Sequence, residues 1–231
     1  MGKRKTKILD PEKLQSAERI IQDMKGKPEF SLARQHKAYH ALKTEAVKYS
    51  VRIEFNRRER KEVLSKHMRN LHSAREYFGR EYGGELTEKL IGQTAYLVEP
   101  AIIGEPEPYR IPGVLCFSTG GRVYPRGEKV PMLMERFVAT NNSIGSCIER
   151  ALHAHLHLTS IHPFPDGNGR LARLVQNGIL ESKHFPPIVI YPNEREKYIG
   201  LVSNADVNCE EEREDVNEAQ RKFYDYSKRT N

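Results

Sequence analysis

The chain has 231 residues, with 38 Lys and Arg against 31 Asp and Glu and a formal net charge of +7. Its 38% apolar content, with 11 Tyr and 8 Phe, can build a packed core and excludes wholesale disorder. No apolar run approaches the roughly 18 residues of a spanning helix, and the basic start from Met1 to Lys7 has no hydrophobic stretch behind it, so neither a membrane span nor a secretory leader is read. Cys116, Cys147 and Cys209 are odd in number and widely spaced. They encode no disulfide framework or CxxC site, which points to a reducing interior, the cytoplasm. The alternative is the nucleus, if Lys3-Arg4-Lys5-Thr6-Lys7 is a signal. The basic excess suits nucleic acid, an anionic surface or a phosphorylated ligand, and composition does not choose among them.

Most of the punctuation is helical. Asp10-Pro11-Glu12 is a cap, a first-turn proline and a first-turn acid, and Leu14, Ala17, Ile20 and Ile21 follow at helical spacing until Gly26 and Pro28. This predicts a helix over 11–25. Apolar residues from Leu32 to Tyr49 predict a second over about 31–48. A third is expected from Asn56 or Arg57 to Phe78, stopped by Gly79 or Gly83-Gly84, and a fourth from a Thr87 cap through Leu97.

The Pro/Gly-rich interval Glu99–Gly127 breaks this pattern. Within it, residues 113–124 form two β-rich runs across Gly120-Gly121, a predicted hairpin. Met132, Met134, Phe137 and Val138 follow, then a helix from about Ile144 to Ser160. Leu174, Val175 and Ile179 lie on a further helix, and helices are expected over 194–204 and 216–227. With no internal repeat, the reading is one mainly α domain.

The chemistry concentrates in His162-Pro163-Phe164-Pro165-Asp166-Gly167-Asn168-Gly169-Arg170, with Arg173 one turn later. Two glycines around an Asn, directly before a periodic run, describe a tight loop feeding a helix N-terminus. Backbone N–H groups and the helix dipole favour an anion there, and glycine lets a phosphate approach closely. Arg170 and Arg173, at i and i+3, offer planar donors for phosphate oxygens. Asp166 is the one acid of the cluster, and a lone carboxylate beside a polyphosphate suits Mg²⁺. His162 is the residue able to act as a base near neutral pH. The segment lacks a nucleophile, so the acceptor is read as an external hydroxyl.

This segment resembles the motif of Fic-domain proteins, His-x-Phe-x-Asp/Glu-Gly-Asn-Gly-Arg-x-x-Arg, with every specified position filled. Tyr109-Arg110, Pro187-Ile-Val-Ile and Tyr198-Ile-Gly-Leu are also similar to the family core, taken as 87–206. The resemblance implies a Fic fold, a helical bundle with a short β-hairpin flap. It also implies Mg²⁺-dependent protein adenylylation: AMP passes from ATP to a Ser, Thr or Tyr hydroxyl of a target protein. His162 would be the catalytic base and Asp166 would hold the metal. Gly167, Asn168 and Gly169 would form the anion nest, Arg170 would bind the β/γ-phosphates, and Phe164 would anchor the loop. The 113–124 hairpin would seat the target by strand pairing. Tyr198 and Asn204 resemble positions near the nucleobase.

Upstream, Ser50-Val-Arg-Ile-Glu54-Phe-Asn56 is similar to the family's inhibitory motif, Ser/Thr-x-x-x-Glu-Gly/Asn, with Phe55 as its departure. Glu54 beside Arg173 would neutralise that arginine and take the place of the γ-phosphate. The chain is thus divided into a basic disordered tail at 1–9, an N-terminal helical region at 10–86 with the inhibitory motif at 50–56, the core, and a C-terminal helix at 207–231 packing on it. Homodimerisation is an analogy with the family.

His153, His155 and His157 are read as structural histidines, since on a helix His155 leaves the face that the other two share and no acid cluster completes a metal site. Arg57-Arg58-Glu59-Arg60-Lys61 is read as a solvated face. Two rivals stand beside this reading: removal of AMP or transfer of another phosphate-containing group at the same site, and a nucleotide-responsive nucleic-acid-binding regulator, supported by charge alone.

Overall fold

In the computed structural model the described residues are 15, 19, 32–55, 60–103, 109–111 and 124–204, with backbone alone at 32–36 and 203–204. The predicted helices at 11–25 (apart from helical Gln15 and Arg19) and 216–227, and the predicted hairpin up to its last residue, Tyr124, lie outside them. Among the described residues the architecture is helical. The helices are α1 (Leu32–Glu54), α2 (Lys61–Glu81), α3 (Glu88–Val98), the single turn α4 (Pro100–Ile103), α5 (Val130–Ser143), α6 (Cys147–Ile161), α7 (Asn168–Ser182) and α8 (Arg195–Asn204). No described helix is long and apolar enough to cross a membrane.

Local chemistry explains most of the boundaries. Thr87 caps α3 by accepting from the Leu90 N–H at 3.1 Å, and Ser146 caps α6 by accepting from Glu149 at 3.4 Å. Pro131 opens α5 in the first turn, where its missing N–H costs nothing. Helix α5 is absent from the sequence-based expectations, and Asn141 and Asn142, poor helix formers, sit in its last turn. Both side chains in fact stabilise it: Asn142 bonds the backbone N–H and C=O of Leu86, and Asn141 donates to the Arg150 carbonyl.

Helix α1 runs six residues past its expected end at Lys48. Tertiary burial overrides the modest helix propensity of the β-branched Val51 and Ile53, which are 0% and 2% exposed. Helix α2 begins at Lys61 and not at 56 or 57, because Arg60 is extended (φ −63°, ψ 142°).

Helices α6 and α7 pack as the central pair. Helix α2 lies against α1, α3 and α7, and α1 crosses α2 and α7. Helix α7 is buried on nearly every side, from Asn168 through Leu180, as a helix at the centre of a bundle must be. Close packing sets Gly178, where an added Cβ would run into the Phe78 ring of α2. Helix α7 therefore has its first turn fixed relative to α1, α2 and α3 before any side chain of the site is considered.

Candidate active site

The site forms where α6 ends and α7 begins. His162 closes α6 in the left-handed region (φ 51°, ψ 56°), and its N–H still bonds the Leu158 carbonyl at 3.1 Å. The chain then turns through Pro163 to Asp166 and enters α7 at Gly167, also left-handed at φ 81°. Glycine is needed there on both counts, since a Cβ would also lie 3.2 Å from Val98. Two further contacts shape the loop. Phe164 is fully buried, anchoring it in the core, and the Asn168 side chain closes it as a clamp, accepting from the Phe164 N–H at 2.9 Å and donating to its carbonyl at 2.7 Å.

The two arginines of the motif part company. Residues i and i+3 lie about 60° apart around a helix, enough for each to meet a different neighbour. Arg173 faces α1. Its Nε donates to Ser50 Oγ at 2.8 Å, and its Nη2 donates to the Ser50 carbonyl at 3.0 Å and to Glu54 Oε1 at 2.6 Å. Its Nη1 donates to the Tyr198 hydroxyl at 3.2 Å. Ser50 and Glu54, four apart on α1, share the face that makes this possible.

Arg170, which the resemblance assigns to the β/γ-phosphates, is held here by protein partners. Its side chain, 2% exposed, lies behind the loop, where Nη1 donates to Glu99 Oε2 at 2.7 Å and Nη2 reaches Asp166 Oδ2 at 3.4 Å. His67 Nδ1 is 2.8 Å from Nη1. Burial, and then the Arg170 charge, push the His67 pKa down, so the neutral ring accepts from Arg170. The Phe55 ring covers this cluster, stacked on His67 at 4.4 Å with the Arg170 guanidinium 5.5 Å from its centroid.

The Glu54 carboxylate lies over the first turn of α7. A Cβ on Gly169 would overlap Glu54 Oε1 and come within 3.3 Å of Arg173 Nη1. An acid at a helix N-terminus is electrostatically favoured. Burial works against the Glu54 charge, but Arg173, with Arg170 and Arg195 behind it, holds its pKa below the usual carboxylate range. The end of α1 is fixed from a second side, where Arg195 Nε donates to the Ile53 carbonyl at 2.7 Å, one of the last carbonyls of a helix without an internal partner.

Burial, and behind it the Arg110 charge, lower the His162 pKa to about 4. The imidazole is therefore neutral at physiological pH, the form that can accept a proton. Its ring stacks on Tyr124, with centroids 3.9 Å apart. The Tyr198 hydroxyl is held by two neighbours. It accepts from Arg173 Nη1 and shares a hydrogen bond at 3.0 Å with His155 Nε2. Asn204 ends α8, with its backbone alone described.

Of the other histidines, His153 and His157 stack on each other at 4.0 Å beside Phe137. Among the described residues no group of three or more His, Cys, Asp or Glu is arranged to hold a metal. Asp166, 52% exposed with Oδ1 taking the Gly167 N–H at 2.6 Å, is thus a single carboxylate open to solvent beside a helix N-terminus. That donor chemistry suits Mg²⁺, which keeps waters and substrate oxygens in its shell, better than a metal needing an all-protein cage.

Glu99, His67 and Arg195 are functional neighbours that sequence reasoning does not single out. A buried-face histidine and an acid ending an apolar helix are the available signals for the first two, and neither names a partner.

The Fic/DOC family model matches residues 62–180. Over 83 residues the chain is 41% identical to a protein named protein adenylyltransferase Fic from Drosophila persimilis, a match covering 34% of this chain and 16% of that protein. The same-named protein of Drosophila melanogaster is 40% identical over 83 residues, covering 34% of this chain and 17% of its own length. The match thus spans about a sixth of the length of these relatives. Among solved structures, a Fic domain-containing signaling protein from Bacteroides thetaiotaomicron superposes with a TM-score of 0.62 at 22% identity, covering 76% of each chain. A Fic family protein from Desulfovibrio desulfuricans gives 0.67 at 21% identity, covering 86% of this chain and 67% of that one. These two share the fold. The match over residues 62–180, more than half of the sequence, makes this chain a member of the Fic/DOC family.

Proposed function

We propose that the chain is a protein adenylyltransferase, moving AMP from ATP to a hydroxyl of a target protein, and that Glu54 holds it inactive at rest. The observation that carries this reading is the ion pair at 2.6 Å between Glu54 and Arg173 over the first turn of α7, beside a neutral, half-buried histidine. A carboxylate there stands where the terminal phosphate of a nucleotide would meet the helix N-terminus and Arg173.

With Glu54 withdrawn, the N–H groups of the Gly167-Asn168-Gly169 turn and the Arg173 guanidinium would take the phosphates, preorganised for charge on the leaving group. His162 would accept the proton of the target hydroxyl as its oxygen bonds to the α-phosphorus. The bond from that phosphorus to the bridging oxygen breaks, and pyrophosphate leaves with the electron pair. Asp166 would hold Mg²⁺, which supplies charge neutralisation to the phosphates. Arg170 acts in this scheme by holding Asp166 and the loop from behind. Tyr198 supports Arg173, and residues 113–124 would seat the target segment.

Incorporation of α-³²P from ATP into protein, with Mg²⁺ present, tests the proposal. Glu54→Gly is expected to raise labelling well above wild type, and Glu54→Gly with His162→Ala to return it to background. Equal labelling by wild type and Glu54→Gly would remove the inhibitory role. Labelling retained by the double variant would remove His162 as the base.

A further inference from the structure

We infer that Arg110 is a positioning residue for His162, fixing the backbone of the base and tying it to both chain ends that bracket residues 112–123. Four hydrogen bonds support this. Arg110 Nε donates to the His162 carbonyl at 2.7 Å, and Nη2 donates to the Ile161 carbonyl at 3.2 Å and to the Pro125 carbonyl. The Arg110 backbone N–H donates to the Pro163 carbonyl at 2.8 Å. One residue, 6% exposed, thus takes three consecutive carbonyls through the base and a fourth on the returning chain.

The geometry needs an arginine. Nε and one terminal nitrogen project from the same edge of a planar fork and can hold two adjacent carbonyls at once, which an ammonium on a flexible stem cannot reproduce. His162 needs such a hold, because its left-handed backbone (φ 51°) is disfavoured for a residue with a Cβ and releases its carbonyl from the helical ladder. That carbonyl is the one Arg110 Nε takes. On the far side, Tyr124 stacks on the His162 ring and Pro125 follows directly, so ring and backbone are held by the same two segments. The Arg110 charge also disfavours protonation of His162, second to burial, and so keeps the ring ready to accept a proton.

The catalytic consequence rests on the proposed function, in which His162 must lie within hydrogen-bond reach of the attacking hydroxyl. A displacement of about 1 Å in such a group can cost on the order of 10²-fold in rate. Two readouts test the role of Arg110, both on the full chain. In the first, Arg110→Gln and Arg110→Lys are placed in the Glu54→Gly background, and α-³²P incorporation is measured beside ATP affinity by calorimetry. Arg110→Gln is expected to lower the rate on the order of 10²-fold with ATP affinity within about twofold, and Arg110→Lys, keeping the charge and one bond, to recover part of the loss. A rate within about threefold of the parent, or ATP affinity lost in proportion to rate, overturns the assignment.

In the second, the ring carbon–proton signals of ¹³C-labelled histidines are recorded for Arg110→Lys without the Glu54 change. A shift of the His162 signal with His153, His155 and His157 in place supports the assignment, and an unmoved His162 signal overturns it. This readout needs no activity. If His162→Ala keeps the rate of the Glu54→Gly parent, the assignment of the base fails, while the spectrum still decides whether Arg110 positions that ring.

Discussion

Glu54 and Arg173, 119 residues apart in the chain, meet at 2.6 Å because the last turn of α1 lies across the first turn of α7. Arg173 is 6% exposed, and α1 supplies three of its partner atoms: Ser50 Oγ, the Ser50 carbonyl and Glu54 Oε1. The proposed inhibitory contact is therefore a docked helix end, and loosening any part of that dock should release activity.

Ser50→Ala tests the part that carries no charge. It removes the acceptor of Arg173 Nε and leaves a buried donor unpaired, at a cost of about 1–3 kcal/mol to the docked state. Labelling from α-³²P ATP is expected to rise above wild type and stay below Glu54→Gly. Labelling equal to wild type would show that Glu54 alone holds the dock.

Phe55 stands where the inhibitory motif that this segment resembles has Gly or Asn, and its ring stacks on His67 and covers Arg170. Phe55→Ala should cost about 1–3 kcal/mol of stability and raise basal labelling, because the residue after Glu54 no longer holds the helix end against α2. Melting temperature and label incorporation are read together. A lower melting temperature with unchanged labelling would confine Phe55 to packing.

Glu99 is the buried carboxylate that offsets Arg170, with side chains 3% and 2% exposed. Breaking a buried pair from one side costs more than the pair contributes, about 3–5 kcal/mol, because a desolvated charge is left behind. Glu99→Ala is expected to lose that amount in urea unfolding, and Glu99→Gln, which keeps one acceptor for Arg170, to lose less. Equal losses would mean that the retained acceptor contributes nothing and that the charge alone carries the pair.

Acid should destabilise the fold through its histidines. Burial, chiefly, lowers His153 and His155 to about 3 and His157 and His162 to about 4, from 6.5. The unfolded chain protonates near 6.5, so below that pH it binds more protons than the native state, and stability falls with pH until the native rings protonate at 4 to 3. Each such proton contributes up to about 1.4 kcal/mol per pH unit. Urea unfolding at pH 7.5, 6 and 5 should show this decline, and His157→Gln should make it shallower. A flat profile would contradict the burial of these rings.

Much of the frame was legible locally. The Thr87 cap, the Gly83-Gly84 stop and the spacing of Leu174, Val175 and Ile179 each express a short-range rule, and the glycines around Asn168, directly before a periodic run, announce a tight loop feeding a helix N-terminus. Helix α5 and the end of α1 could not. Asn141-Asn142 bond to groups as distant as Leu86, and Val51 and Ile53 remain helical because they are buried.

The sequence alone determined a mainly helical chain with a glycine-rich loop feeding a helix N-terminus and an upstream Ser-x-x-x-Glu segment, because those features depend on residue type and spacing over a few turns. The resemblance already set Glu54 beside Arg173; only the tertiary structure decided that Ser50 joins them, that Arg170 turns inward to Glu99, and that Arg110 grips the backbone of His162. The two arginines are three residues apart on one helix. What separates them is which neighbouring helix each faces, and that depends on how α1, α2 and α3 pack around α7.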